Sequence, residues 1–286
     1  LWNYSCGPFP IAVEALDMDG DGTDEVVVGT AAVANGVEDA NGISDSDCYF
    51  FAFDAKGKLL WRHRLGGVYA RGFPIVEDTD HDGKRDLLGW TTSAPEVWLQ
   101  GIHDEPCAVV RLNQDGLDTH RYNAPVTIQS CRVGDIDSNG TNEVLVADRD
   151  GFLVVLDQNL NEVRRERIIN KRFTYVNPLI AGVGRVRGDA LPDIVVLESQ
   201  IDYVAGMNVG DPKGDQNVRV PHDVKVLLYD STLKLRGEFL IYKKWMDFLA
   251  PKCHLWDTDG DNRLEIVVIG PHVVVLDWVD RLHAAY

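Results

Sequence analysis

The chain has 286 residues, 45% of them hydrophobic, which is enough for a core and excludes a disordered chain. Its net charge is −17, with 45 acidic against 28 basic residues and no basic run, which excludes a nucleic-acid-binding surface. No apolar run in it approaches the roughly 20 residues a membrane-spanning helix needs.

In chain order, the dominant feature is a repeat. An apolar run at residues 11–16 leads into an acidic stretch at 17–25 (D-M-D-G-D-G-T-D-E), and the apolar pattern resumes at once with Val26, Val27 and Val28. The same succession recurs at 78–86 (D-T-D-H-D-G-K-R-D), 135–143 (D-I-D-S-N-G-T-N-E) and 257–265 (D-T-D-G-D-N-R-L-E). A degenerate copy, R-V-R-G-D-A-L-P-D, occupies 185–193. The five stretches begin 50 to 72 residues apart, which fits four-stranded units with insertions. Each is followed by a second pair of apolar runs around a D-x-x-G, N-x-x-G or D-x-x-L turn, a hairpin signal. The expected fold is all-β: a β-propeller of four-stranded blades, five-bladed or part of a larger propeller. Its units cover about 7–65, 72–122, 124–168, 177–241 and 250–286 of a single domain over 1–286, with residues 1–4 as a ring-closing strand.

The acidic stretch has the chemistry of a cation site. Acidic or amide side chains stand at alternate positions, and Gly22, Gly83 and Gly140 permit the left-handed backbone of a sharp turn, as Asn262 does in the last copy. Calcium takes 6–8 oxygens at about 2.3–2.6 Å, so converging alternate side chains, a carbonyl and a closing acid suit it. The first loop offers Asp17, Asp19, Asp21, the Thr23 carbonyl and Glu25. The second offers Asp78, Asp80, Asp82, the Lys84 carbonyl and Asp86; the third offers Asp135, Asp137, Asn139, Thr141 and Glu143. The last offers Asp257, Asp259, Asp261, Arg263 and Glu265. The closing acid is the ninth residue, which separates these loops from EF-hands, whose closing glutamate is the twelfth. In the degenerate copy Arg185 and Arg187 replace the first two acids, so a guanidinium beside Asp189 and Asp193 is expected in place of an ion. Four bound Ca²⁺ bring the charge from −17 to about −9.

These loops resemble the FG-GAP or VCBS repeats, the calcium-loop blades of integrin α-subunits and of many bacterial secreted proteins. That resemblance implies structural calcium and an extracellular or periplasmic location. The first two units also resemble the propeller of rhamnogalacturonan lyases, through the two acidic loops and the stretch A-F-D-A-K-G-K-L-L-W-R-H-R-L-G-G between them. The K-G-K-L-L-W stretch at 56–61 is similar to quinoprotein-like propellers.

Strand alternation sets the three long insertions, near 30–47, 90–106 and 199–223, at the strand ends opposite the acidic loops. Long loops often carry function. Candidate ligand residues there are Trp90, Trp98, His103, Tyr203 and His222, joined by Tyr69 and Arg71. Aromatics with arginine suit a carbohydrate or protein partner. No Ser-His-Asp order, zinc spacing or phosphate-binding glycine loop is present, so no catalytic residue is assigned. Three readings stay open: a non-catalytic binding or scaffold module, a polysaccharide-active enzyme or its propeller part, and a subunit of a larger extracellular assembly. Of five cysteines, Cys48 and Cys107 hold equivalent places and are expected to form a disulfide; Cys131 and Cys253 read as buried small hydrophobes.

Overall fold

The computed structural model describes residues 1–33, 41–93, 106–169, 175–203, 219–220, 222–245 and 251–277. These residues form 20 strands and no helix. They group into two compact units, Leu1–Ile128 with Asp157–Glu162, and Gln129–Leu156 with Val163–Tyr286.

The first unit holds two antiparallel meanders. One comprises β1 (Phe9–Leu16), β2 (Glu25–Ala31), β3 (Cys48–Phe53) and β4 (Leu59–Gly66). The other comprises β5 (Ala70–Glu77), β6 (Asp86–Ser93), β7 (Ala108–Leu112) and β8 (Asp118–Asn123). Central strands read as continuous apolar runs because both faces are covered: Val27, Phe50, Phe51 and Ala52 are all at most 1% exposed. The outer strands β4 and β8 alternate between solvent and sheet, as their polar sequences require. Leu16, Val27, Phe50, Ala52 and Leu65 of the first sheet pack with Leu87, Val110 and Leu112 of the second in one core. The approach is close enough to demand glycine: a Cβ at Gly89 would meet the Phe50 ring at 2.2 Å.

The other face of the first sheet has a separate cover. Phe51 and Phe53 lie there with Ile43, Tyr4 and Cys6. The Trp2 ring centre stands 5.4 Å from that of Phe53, and the Tyr4 ring meets Phe53 edge-on at 4.9 Å. Residues 1–6 form no strand, so the ring-closing strand expected over 1–4 is not made. Trp2 and Tyr4 instead place their rings against the aromatic face of β3.

In the second unit, β9 (Ile128–Gly134), β10 (Glu143–Asp148), β11 (Phe152–Leu156) and β12 (Glu162–Arg167) form a four-stranded sheet. The next sheet runs β13 (Tyr175–Gly184), β14 (Asp193–Tyr203), β16 (His222–Tyr229) and β17 (Leu235–Trp245), with β15 (Arg219–Val220) paired to β14. The last sheet has three described strands, β18 (Lys252–Trp256), β19 (Glu265–Ile269) and β20 (Val273–Leu276). Aliphatic cores join neighbouring sheets, with Leu145, Val155, Val196 and Leu227 in one and Val195, Val226, Ile266 and Val268 in the other.

Candidate metal centres

Each acidic stretch joins the first strand of its sheet to the second, and four of them share one hydrogen-bond pattern. The first carboxylate accepts from the amide of the sixth residue. Asp17 accepts from Gly22 at 2.9 Å, Asp78 from Gly83 at 2.9 Å, Asp135 from Gly140 at 3.0 Å and Asp257 from Asn262 at 3.1 Å. The third residue accepts from the fifth: Asp19 from Asp21, Asp80 from Asp82, Asp137 from Asn139 and Asp259 from Asp261, at 3.1–3.2 Å. The fifth accepts from the seventh: Asp21 from Thr23, Asp82 from Lys84, Asn139 from Thr141 and Asp261 from Arg263, at 2.7–2.8 Å. The sixth residue is left-handed in every copy, with φ of 86°, 87°, 86° and 66° at Gly22, Gly83, Gly140 and Asn262. The other oxygen of the first carboxylate accepts a backbone amide as well: Asp17 from Gly20 and Asp21, Asp78 from Asp82, Asp135 from Asn139 and Asp257 from Gly260.

The oxygens that converge are clear in three loops. Asp17, Asp19 and Glu25 each bring one carboxylate oxygen within 4.8 Å of the others, as do Asp135, Asp137 and Glu143, and Asp257, Asp259 and Glu265. A separation of that size spans two calcium–oxygen bonds across one ion. The closing glutamates are anchored alike. Glu25 accepts from the Met18 amide at 2.9 Å, Glu143 from Ile136 at 3.1 Å and Glu265 from Thr258 at 2.6 Å. Glu25 and Glu265 are 6% and 4% exposed, costly places for carboxylates lacking a cation. Burial first, then the neighbouring Asp137 and Asp135, push the Glu143 carboxyl above its ordinary range.

The second loop gathers Asp78, Asp80 and Asp82 instead. Its closing residue Asp86 stands outside that group, hydrogen-bonded to the amide and hydroxyl of Thr79 and paired with Arg111. In the last loop Asp261 is held by its neighbour Arg263, Nε to Oδ2 at 2.7 Å, and this pairing draws its carboxyl below the ordinary range. Asp21 and Asp261 therefore serve their loops through backbone and side-chain hydrogen bonds and lie outside the converging carboxylates.

The degenerate loop carries a guanidinium. Arg187 Nε meets Asp193 at 2.6 Å and its Nη1 meets Asp189 at 2.7 Å. Asp193 is fully buried and also accepts from the Arg187 amide at 3.0 Å. The expected internal salt bridge is made, and Arg187 makes it; Arg185 is exposed.

The candidate ligand residues do not form one described cluster. Tyr69 is half-buried with φ of 62°, its amide donating to the Ala32 carbonyl at 2.9 Å, and exposed Arg71 pairs with Ala31 across β5 and β2. Trp90 lies in β6, 8% exposed, its ring stacked on Phe73 at 4.6 Å, so its own sheet takes it up. Tyr203 and His222 lie in β14 and β16, because these strands extend into the expected insertion. Trp98 and His103 lie outside the described residues. The Cys48–Cys107 disulfide is not made: none of the five cysteines is in a disulfide. Cys48 donates to the Thr30 carbonyl at 3.1 Å and Cys107 to the Ser93 hydroxyl at 3.7 Å, each satisfied within its own sheet.

No family model and no curated protein sequence matches the chain. Among solved structures, the chain is similar to the quinohemoprotein alcohol dehydrogenase from Comamonas testosteroni, with a TM-score of 0.52, 14% identity and coverage of 90% of this chain. The chain spans about half of that protein, 49% of its length. It also matches BBS1N in complex with ARL6DN, soaked with mercury, at TM-score 0.48 and 12% identity, covering 98% of this chain and 83% of that one. A protein of unknown function from Bacteroides caccae matches at TM-score 0.37 and 11% identity, covering 84% and 85%. The fold is therefore all-β and β-propeller-like, with several acidic clusters able to hold metal ions.

Proposed function

We propose that the chain is a secreted calcium-binding β-propeller, a non-catalytic binding or scaffold module for a protein or carbohydrate partner, with calcium in a structural role. The observation that carries this reading is the contrast among the loops. Three gather two aspartates and a glutamate within 4.8 Å, and the degenerate one sets a guanidinium between Asp189 and Asp193. A cation is thus built into the chain where the acids that would hold an ion are lost. Oxygen-only donors favour a hard cation, and ions held at extracellular calcium concentrations suit loops as exposed as these. When bound, calcium would neutralise each carboxylate group and fix the turn between two strands. The partner would meet the strand ends opposite the acidic loops, where Tyr69 and Arg71 stand.

Calorimetry in calcium and in EDTA tests the structural role: melting in EDTA should fall by at least about 5 °C, and an unchanged transition would overturn it. Incubation with pectic and other polysaccharides separates binding from catalysis. Retention without cleavage fits the module, whereas cleavage would make it an enzyme.

A further inference from the structure

The strand register exposes one residue that breaks the repeat. Two residues beyond each closing acid, the second strand of the sheet pairs with the third. Val27 faces Ala52, Leu145 faces Val155, Val195 faces Leu228 and Val267 faces Val275. At the corresponding place in the second sheet, Leu88 pairs with Arg111. An arginine thus occupies a place that is aliphatic in the other four repeats. Its side chain is 13% exposed, and its Nε is buried with no hydrogen-bond partner. A largely buried cation is costly unless it is paired and hydrogen-bonded.

The fork of Arg111 explains the loop's departure. Nη1 lies 3.2 Å from Asp86 Oδ1, and Nη2 donates to the Thr79 hydroxyl at 2.8 Å. Asp86 Oδ2 accepts from the Thr79 amide at 3.1 Å. In the other three loops the closing glutamate accepts the same amide bond and still brings one carboxylate oxygen into the converging group. Aspartate is one methylene shorter, and its second oxygen turns to the guanidinium. A groove of about 370 Å³ lined by Asp82, Lys84, Asp86 and Asn113 opens this place to solvent.

We propose that Arg111 is a tethered cation that holds the closing carboxylate of the second loop, making it the weak, exchangeable calcium site beside three tight ones. The inference rests on the calcium reading above. A divalent ion there meets three aspartates, as many carboxylates as in the other groups, but lacks the closing acid that belongs to each of those groups and meets the repulsion of a nearby guanidinium.

Calcium titration of the whole chain by isothermal calorimetry, with ion counting by equilibrium dialysis, tests it. The wild type should show three tight ions and one at least about tenfold weaker. Arg111→Leu, which restores the aliphatic residue of the repeat, should tighten the fourth site at least about tenfold. Asp86→Glu, which supplies the longer acid and leaves Arg111 in place, should also tighten it. It keeps the test open if Arg111→Leu fails to fold. Arg121→Leu removes a β8 charge paired with Asp118 and should change nothing. Four equal ions in the wild type, or a fourth site unmoved by both variants, would overturn the role of Arg111. Absence of any bound calcium would overturn the calcium reading and this inference together.

Discussion

Replacing Arg187 by methionine isolates the energetic meaning of the degenerate loop. The substitution keeps the length of the side chain and removes its charge. Asp193 is fully buried and would lose the Nε contact at 2.6 Å while keeping one amide bond at 3.0 Å. Breaking a buried pair by removing one partner costs about 3–5 kcal/mol, because the other charge stays desolvated. The second contact, to Asp189, adds little: that carboxylate is 55% exposed, and such pairs contribute at most about 1 kcal/mol. The expected loss is therefore about 3–5 kcal/mol, seen as a drop in melting temperature of roughly 6–15 °C. Differential scanning calorimetry should find the same drop in calcium and in EDTA, since this loop uses no ion. Arg187→Met with Asp193→Asn should recover much of it, because the buried charge is then gone. A single-variant loss below about 1 kcal/mol, or one appearing only in calcium, would refute the reasoning.

Further outcomes follow from the same geometry. Glu25→Gln should remove one ion and most of that loop's share of calcium stabilisation, measured by dialysis and calorimetry. In EDTA, the raised carboxyl of Glu143 means the folded chain retains a proton that the unfolded chain has released. Metal-free stability should then fall as pH rises through the range just above an ordinary glutamate, and Glu143→Gln should flatten that slope in urea titrations. Gly89→Ala forces a methyl group into the Phe50 ring and should cost about 1–3 kcal/mol by urea denaturation. Burial pushes the thiols of Cys48, Cys131 and Cys253 up to about 12. These three thiols should therefore react slowly with thiol reagents in native protein at pH 8, and unfolded protein should yield five thiols.

Much of this was legible in the sequence because the repeat is local. The acidic stretch, its left-handed turn and the strands on either side lie within about twenty residues, so periodicity and spacing read them together. The guanidinium of the degenerate loop was legible for the same reason, since Arg187, Asp189 and Asp193 are close in the chain. Arg111 was not. It lies 25 residues beyond Asp86, in a run, A-V-V-R-L, whose alternation reads as an ordinary strand; only the register with Leu88 reveals the place it takes. Trp90 shows the opposite failure. An aromatic beside a long insertion looks available, yet two-residue alternation in β6 turns its ring onto Phe73. Residues 1–4 resemble an outer strand lacking its own unit, whereas the aromatic face of β3 on which Trp2 and Tyr4 lie forms some 50 residues later.

Anomalous diffraction from crystals grown in millimolar calcium tests the central claim most directly. The account predicts peaks enclosed by Asp17, Asp19 and Glu25, by Asp135, Asp137 and Glu143, and by Asp257, Asp259 and Glu265. It predicts a weaker peak at Asp78, Asp80 and Asp82, and none between Asp189 and Asp193. Acidic loops without peaks, or a peak beside Arg187, would contradict it.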